Sequence, residues 1–309
     1  MGMGYWLKTV RGASLVLLAA LWLLSRPQTD VVPANLAEVQ GSRERGERIF
    51  LIGGCASCHR PPDADATSAL DLSGGRRFET AFGTFVAPNI TPHEATGIGS
   101  WSNADFVTAM LTGVSPQGEH YYPVFPYTSY ARMRLQDVVD LKTFLDTLPA
   151  VDRENPAHEV AFPFNLRRGL GLWKRVYGRR GPVTDLDSPT PQQRLGQYLV
   201  EGPGHCGECH TPRTFGGGLD YARWLAGAPS PDGDGVIPNI TPHPQGLGEW
   251  QAVDIAGYLA SGFTPDYDVV GGAMAEVVDN LAQVSEADRE AIAAYLRRVE
   301  PSATAYDSE

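Results

Sequence analysis

The chain has 309 residues, 42% of them hydrophobic and 20% charged, with a formal net charge of −11. That length fits two domains, the apolar fraction excludes global disorder, and the acidic balance argues against nucleic acid as a partner, because phosphate binding needs clustered Lys and Arg. Gly and Pro, 34 and 24 residues, make almost a fifth of the chain and predict short helices joined by long irregular loops.

At the start, Gly12 to Leu24 forms a continuous apolar run, preceded by Lys8 and Arg11 and followed by Arg26. A basic start followed by ~13 apolar residues has the pattern of an export signal. A full membrane span wants ~20 such residues, a length approached if Tyr5 to Val10 are added and Lys8 and Arg11 snorkel. Leu23-Leu24-Ser25-Arg26-Pro27 lacks a small-x-small cleavage site. An uncleaved anchor over residues 1–26 is therefore expected, with a cleaved signal as the alternative. The basic N-terminal flank puts that end in the cytoplasm and the remainder on the periplasmic side of the inner membrane. Beyond Arg26, 22 basic residues stand against 36 acidic ones, a charge of −14.

The rest of the chain contains itself twice. Cys55-Ala56-Ser57-Cys58-His59 recurs as Cys206-Gly207-Glu208-Cys209-His210, 151 residues on. Pro88-Asn89-Ile90-Thr91-Pro92-His93 recurs unchanged as Pro238 to His243, 150 residues on, and Trp101 returns as Trp250 at an offset of 149. Landmarks in one order at nearly constant offset imply two homologous domains, at 38–150 and 191–301, joined by a linker over 151–190. Each copy reads as a short helix around Gly46–Phe50 (Gly196–Val200), the cysteine motif, a long Gly/Pro loop, a helix over 102–111 (252–260) and a closing helix over 137–148 (286–298). Val138, Leu141, Leu145 and Leu148 give the closing helix an amphipathic face, and Ser285 caps its second copy. There is little strand signal, so the fold class is all-α with loops.

Cys-x-x-Cys-His is the attachment pattern of c-type haem. Two thiols about one helical turn apart, Cys55 with Cys58 and Cys206 with Cys209, can bond the two vinyl groups of one porphyrin edge. The adjacent His59 or His210 then supplies an axial ligand to the iron. Two disulfides or one zinc site would use the same four cysteines, but neither accounts for a His after both pairs. Two covalent haems c are expected.

Each iron needs a second axial ligand or an open site, and a thioether would raise the potential. Met110 lies in a helix, where its counterpart is Leu259, which favours packing. Met133 and Met274 lie between the last two helices of each copy, in segments expected to be irregular, and are the candidate ligands. They are not equivalent in the repeat, since Met274 matches Phe125 at an offset of 149. His93 and His243 are the rivals, with a loop-surface role as the simpler reading.

With these residues in place, the chain resembles bacterial di-haem cytochromes c and is similar to the multihaem cytochrome subunits of membrane-bound alcohol and sugar dehydrogenases. The resemblance covers about 41 to 300. It rests on both Cys-x-x-Cys-His motifs, both Pro-Asn-Ile-Thr-Pro loops, Tyr122–Met133 and Gly271–Met274. It implies two tandem class I cytochrome c-like domains, each wrapped around one haem. Their first and last helices would cross where Gly46 meets Phe144 and Gly196 meets Tyr295. It also implies that the Pro-Asn-Ile-Thr-Pro loops line the haem crevices, where Asn89, Thr91, Asn239 and Thr241 can donate to propionates or simply serve turn chemistry. Trp101 and Trp250 either reach a propionate or pack. Those dehydrogenase subunits usually carry three haems, whereas this chain has two motifs.

The linker carries six basic residues and no acid between Arg167 and Arg180. Either it docks on anionic lipid or an acidic partner, or it lies across both acidic domains and neutralises them. The expected function is a membrane-anchored relay of single electrons from a dehydrogenase or quinol-linked donor towards an oxidase or another cytochrome. A di-haem enzyme of the peroxidase or thiosulfate-oxidising type, with one open haem site, is the alternative, as is a membrane-tethering subunit of a dehydrogenase.

Overall fold

A computed structural model describes residues 3–29, 31–64, 70–230 and 235–306. Helix α1 (Met3–Leu24) carries the apolar run, and its Leu15, Val16, Leu17 and Leu18 side chains are exposed. Some side chains of the Tyr5 to Val10 extension fall outside the described part. Among the described residues, no helix is long and apolar enough to cross a membrane. The run Gly12–Leu24 would itself reach only about 20 Å at 1.5 Å per residue, against a hydrocarbon core of ~30 Å.

The first half is built from α2 (Arg43–Ile52), α3 (Cys55–His59), α4 (Asn103–Thr112), the one-turn α5 (Tyr127–Tyr130) and α6 (Leu135–Leu145). Ser42 caps α2 by accepting from the Arg45 N–H at 3.3 Å, and Ser102 with Asp105 closes a capping box on α4. Helices α2 and α6 cross at Gly46, where a Cβ would lie 2.0 Å from the Asp140 carbonyl oxygen and 2.7 Å from the Phe144 Cβ. Only glycine lets the two backbones approach that closely. Ile49, Phe50, Val107, Met110, Val138, Leu141, Phe144 and Leu145 fill the core behind the crossing.

After α7 (Gly169–Tyr177) the plan is repeated with α8 (Pro191–Glu201), α9 (Gly207–His210), α10 (Ala252–Ser261), α11 (Ala273–Leu281) and α12 (Glu286–Leu296). Here α8 crosses α12 at Gly196, whose Cβ would lie 1.8 Å from the Ala291 carbonyl oxygen and 2.8 Å from the Tyr295 Cβ. Leu199, Val200, Ile255, Leu259, Ile292, Tyr295 and Leu296 form a second core. The crossings therefore form at the glycine and aromatic positions named from the sequence, and Ser285 caps α12 as expected.

Two features depart from the sequence reading. Each long loop carries a small antiparallel hairpin: β1 (Arg77–Thr80) pairs with β2 (Gly83–Val86), and β3 (Ala228–Pro229) pairs with β4 (Val236–Ile237). Strands this short give no usable alternation, and the first hairpin turns on Gly83 at φ 132°, which a side chain would disfavour. Second, the segment around Met274 is not irregular. It is the first turn of α11, which begins after Gly272 without the Ser, Thr, Asp or Asn that ordinarily marks a helix start.

The halves meet about an approximate two-fold. Arg48 donates from Nε and Nη2 to the Asp288 carboxylate at 2.8 and 2.6 Å, and at the equivalent positions Tyr198 donates its hydroxyl proton to Asp137. Ser129 Oγ donates to Glu208 at 2.8 Å, and Asn280 Nδ2, 151 residues after Ser129, donates to Ser57 Oγ at 3.2 Å. Each patch thus contacts the counterpart of its own partner, as in a self-complementary dimer interface. Arg76 with Glu276 adds an ion pair at 3.2 Å across the same seam.

Candidate haem-attachment site

Both attachment motifs are single helical turns, so the two cysteines of each fall about one turn apart. A left-handed Gly54 at φ 54° introduces α3, while α9 follows directly on Cys206. All four thiols are free. Burial pushes the Cys55 and Cys206 thiols up to about 12. Burial, reinforced by the nearby Cys209, pushes Cys58 up to about 11. Cys209 is also raised by burial.

His59 and His210 are held in the same way. His59 Nδ1 lies 2.8 Å from the carbonyl oxygen of Pro88, and His210 Nδ1 lies 2.8 Å from that of Pro238. A carbonyl accepts only from a protonated Nδ1, so Nε2 carries the lone pair. A ligating imidazole needs this tautomer, with its other nitrogen held by such a hydrogen bond. Burial holds both imidazoles below their ordinary pKa, with the carbonyl contact as a smaller opposing influence, so both are neutral near pH 7. Residues this consistent in two copies fit two covalent haems c. The two groups supply reversible one-electron chemistry, and the chain supplies the thiols and the imidazole Nε2.

This gives the repeated loops a role the sequence reading did not name. Pro88 and Pro238, the first residues of the Pro-Asn-Ile-Thr-Pro loops, hold the His59 and His210 imidazoles through their carbonyls. The residues after them lock the loop. Asn89 Nδ2 donates to the Val151 carbonyl at 2.8 Å, and its Oδ1 accepts from the Thr91 N–H at 2.9 Å and from Thr91 Oγ1 at 2.7 Å. In the second copy Asn239 Nδ2 donates to the Ser302 carbonyl at 2.8 Å, and its Oδ1 accepts from the N–H and Oγ1 of Thr241, each at 2.8 Å. The side-chain hydrogen bonds of these four residues thus run to the chain itself. An identical sequence repeated at each site pointed to these loops, but only the backbone path shows which atom matters.

Met133 is buried in the first core, against which Cys55 packs. Met274, half-buried, packs against the second core together with Cys206. The structure therefore places each candidate methionine in the same half as one attachment motif. Met110 is buried in the first core and its counterpart Leu259 in the second, as packing residues. Trp101 and Trp250 pack against the two cores, and the Trp250 ring lies 5.6 Å from that of Tyr258. His93 Nδ1 is engaged with Thr96 Oγ1 at 2.8 Å, and His243 Nδ1 accepts from the Gln245 N–H at 3.1 Å, both within their own loops.

The family model for cytochrome c matches residues 43–149. A di-haem cytochrome c-type protein of Cereibacter sphaeroides is 55% identical over 291 residues, which cover 93% of this chain and 96% of that one. The fructose dehydrogenase cytochrome subunit of Gluconobacter japonicus is 34% identical over 292 residues, 93% of this chain and 58% of the subunit. The cytochrome c subunit of the quinone-dependent alcohol dehydrogenase of Gluconobacter oxydans is 34% identical over 264 residues, 82% of this chain and 54% of the subunit. The chain thus spans little more than half the length of those dehydrogenase subunits. With two free Cys-x-x-Cys-His turns, two identically supported imidazoles and near full-length similarity to a di-haem protein, the chain belongs to the di-haem c-type cytochromes, an electron-transfer family.

Proposed function

We propose that this cytochrome relays single electrons between a dehydrogenase or quinol-linked donor and an oxidase or another cytochrome, on the periplasmic side of the inner membrane. In this reading the repeat is a pair of tandem cytochrome c domains. His59 with Met133 and His210 with Met274 are the axial pairs, and α1 is the membrane attachment. The observation that carries the relay is the self-complementary seam. Ser57 and Glu208, each beside the second cysteine of its motif, bond across that seam to Asn280 and Ser129, so α3 and α9 both border the contact between the halves. Attachment turns that both border the contact between the halves favour transfer from one half to the other. Rigid loops around both imidazoles limit the reorganisation that accompanies a change of charge.

The names of the dehydrogenase relatives support a dehydrogenase as donor. A redox titration of the purified holoprotein tests the reading: it should resolve two one-electron steps, with neither ferrous haem taking up carbon monoxide readily. Rapid carbon monoxide binding at one haem, together with peroxide turnover, would transfer the chain to the enzyme alternative.

A further inference from the structure

The basic linker is not spent on the acids of the two halves. It bridges them through neutral atoms: Trp173 Nε1 donates to the Gly216 carbonyl at 2.8 Å, and Lys174 Nζ donates to the Thr112 and Gly113 carbonyls at 2.6 and 2.7 Å. Among the described residues, the six cations from Arg167 to Arg180 make one ion pair, Arg167 with Glu119 at 3.8 Å. Others grip the end of the apolar helix. Arg168 donates to Ser25 Oγ at 3.0 Å and to the Trp22 carbonyl at 2.8 Å, and Arg175 donates to the Leu24 carbonyl at 2.6 Å. These cations satisfy carbonyls that the C-terminus of α1 leaves open, where positive charge is favoured. The guanidinium groups of Arg26 and Arg168 also lie 4.2 and 5.1 Å from the centre of the Trp22 ring.

A cavity of about 310 Å³ lies at this junction, between the end of α1, α4, α5 and α7. Its cationic lining is Arg26, Lys174, Arg175, Arg179 and Arg180, with no carboxylate, and Leu24, Leu111 and Val114 supply apolar wall. Tyr127, 3% exposed, also lines it. We propose that this cavity binds the phosphate headgroup of an anionic phospholipid. The charge and the apolar wall suit a phosphodiester on a lipid. The exposed apolar face of α1, joined to the same cavity by Arg168 and Arg175, delivers the site to a bilayer surface, with Trp22 and its flanking arginines as an interfacial anchor. Burial that pushes Lys174 down to about 7 would be offset by such an anion. The inference rests on the membrane attachment proposed above.

The test titrates full-length holoprotein with dihexanoyl phosphatidylglycerol, dihexanoyl phosphatidylcholine and inorganic phosphate by calorimetry. Haem content is measured on the same samples, so that loss of haem and loss of lipid binding read out separately. One phosphatidylglycerol should bind per chain, with much weaker binding of phosphatidylcholine and inorganic phosphate. R179Q/R180Q, which leaves the contacts to α1 intact, should weaken phosphatidylglycerol about thirtyfold, from roughly 1 kcal/mol per basic residue near an anionic surface. Inorganic phosphate binding as tightly as the lipid would overturn the lipid assignment. So would unchanged affinity in R179Q/R180Q, or capture of a dehydrogenase through these arginines with no lipid bound.

Discussion

Gly196→Ala tests whether the crossing of α8 and α12 holds the second half together. An ideal Cβ at this position would sit 1.8 Å from the Ala291 carbonyl oxygen and 2.5 Å from its carbon, where real Cβ contacts essentially never fall below 3.0 Å. The obstacle is helix backbone, so the helices must separate by about 1 Å, and overpacking of this kind costs roughly 1–3 kcal/mol. Tyr295 would move with α12, and its fully buried hydroxyl bonds Glu201 at 2.6 Å and accepts from Trp224 Nε1 at 3.2 Å. Disturbing those bonds adds about 1 kcal/mol, and the higher helix propensity of alanine returns about the same. The net loss is about 1–3 kcal/mol, a fall in Tm of about 2–12 °C. Gly257→Ala is the control, because that exposed position in α10 has nothing within 4 Å of the new methyl group. It should stabilise by up to ~1 kcal/mol. Thermal unfolding of the holoprotein, followed by circular dichroism, reads both. If Gly196→Ala melted at or above the parent temperature, the tight crossing would be refuted.

Two further predictions follow from the axial assignment and from the buried carboxylates. Met274→Leu and Met133→Leu should each lower the potential of one haem and leave the other unchanged in a redox titration; an unaltered potential and spectrum would reject that methionine as ligand. Burial alone would raise the Asp140 and Asp288 carboxyls, but hydrogen bonds and charge from Arg45 and Arg48 hold both below the ordinary carboxylate value. Their stabilisation is therefore complete above the unfolded pKa of ~3.9 and is lost as pH falls through the depressed folded values. Urea midpoints should drop below about pH 4, and Asp140→Asn with Asp288→Asn should flatten that slope; an undiminished slope would contradict it.

The sequence carried most of this site because covalent haem attachment is written in adjacent residues. Cys55, Cys58 and His59 share one helical turn, so their chemistry follows from spacing alone, and the second copy at a constant offset removed doubt about coincidence. The glycine crossings were legible through the resemblance to cytochromes c, which implied that Gly46 would meet Phe144 and Gly196 would meet Tyr295. The role of Pro88 and Pro238 was not, because it belongs to a carbonyl that any residue possesses, placed by a loop 29 or 28 residues away. Helix α11 was missed because its N-terminus lacks a capping side chain and depends on packing against its own half and, through Asn280, the seam. The seam itself pairs residues up to 240 apart, Arg48 with Asp288, and no local pattern announces it.

The central claim is that the four cysteines are consumed by two haems. Intact mass and pyridine haemochrome measurements on protein matured with haem-attachment machinery should give two covalent haems per chain, and one after Cys206→Ser with Cys209→Ser. A colourless protein, or a haem count unchanged by that double substitution, would contradict the account.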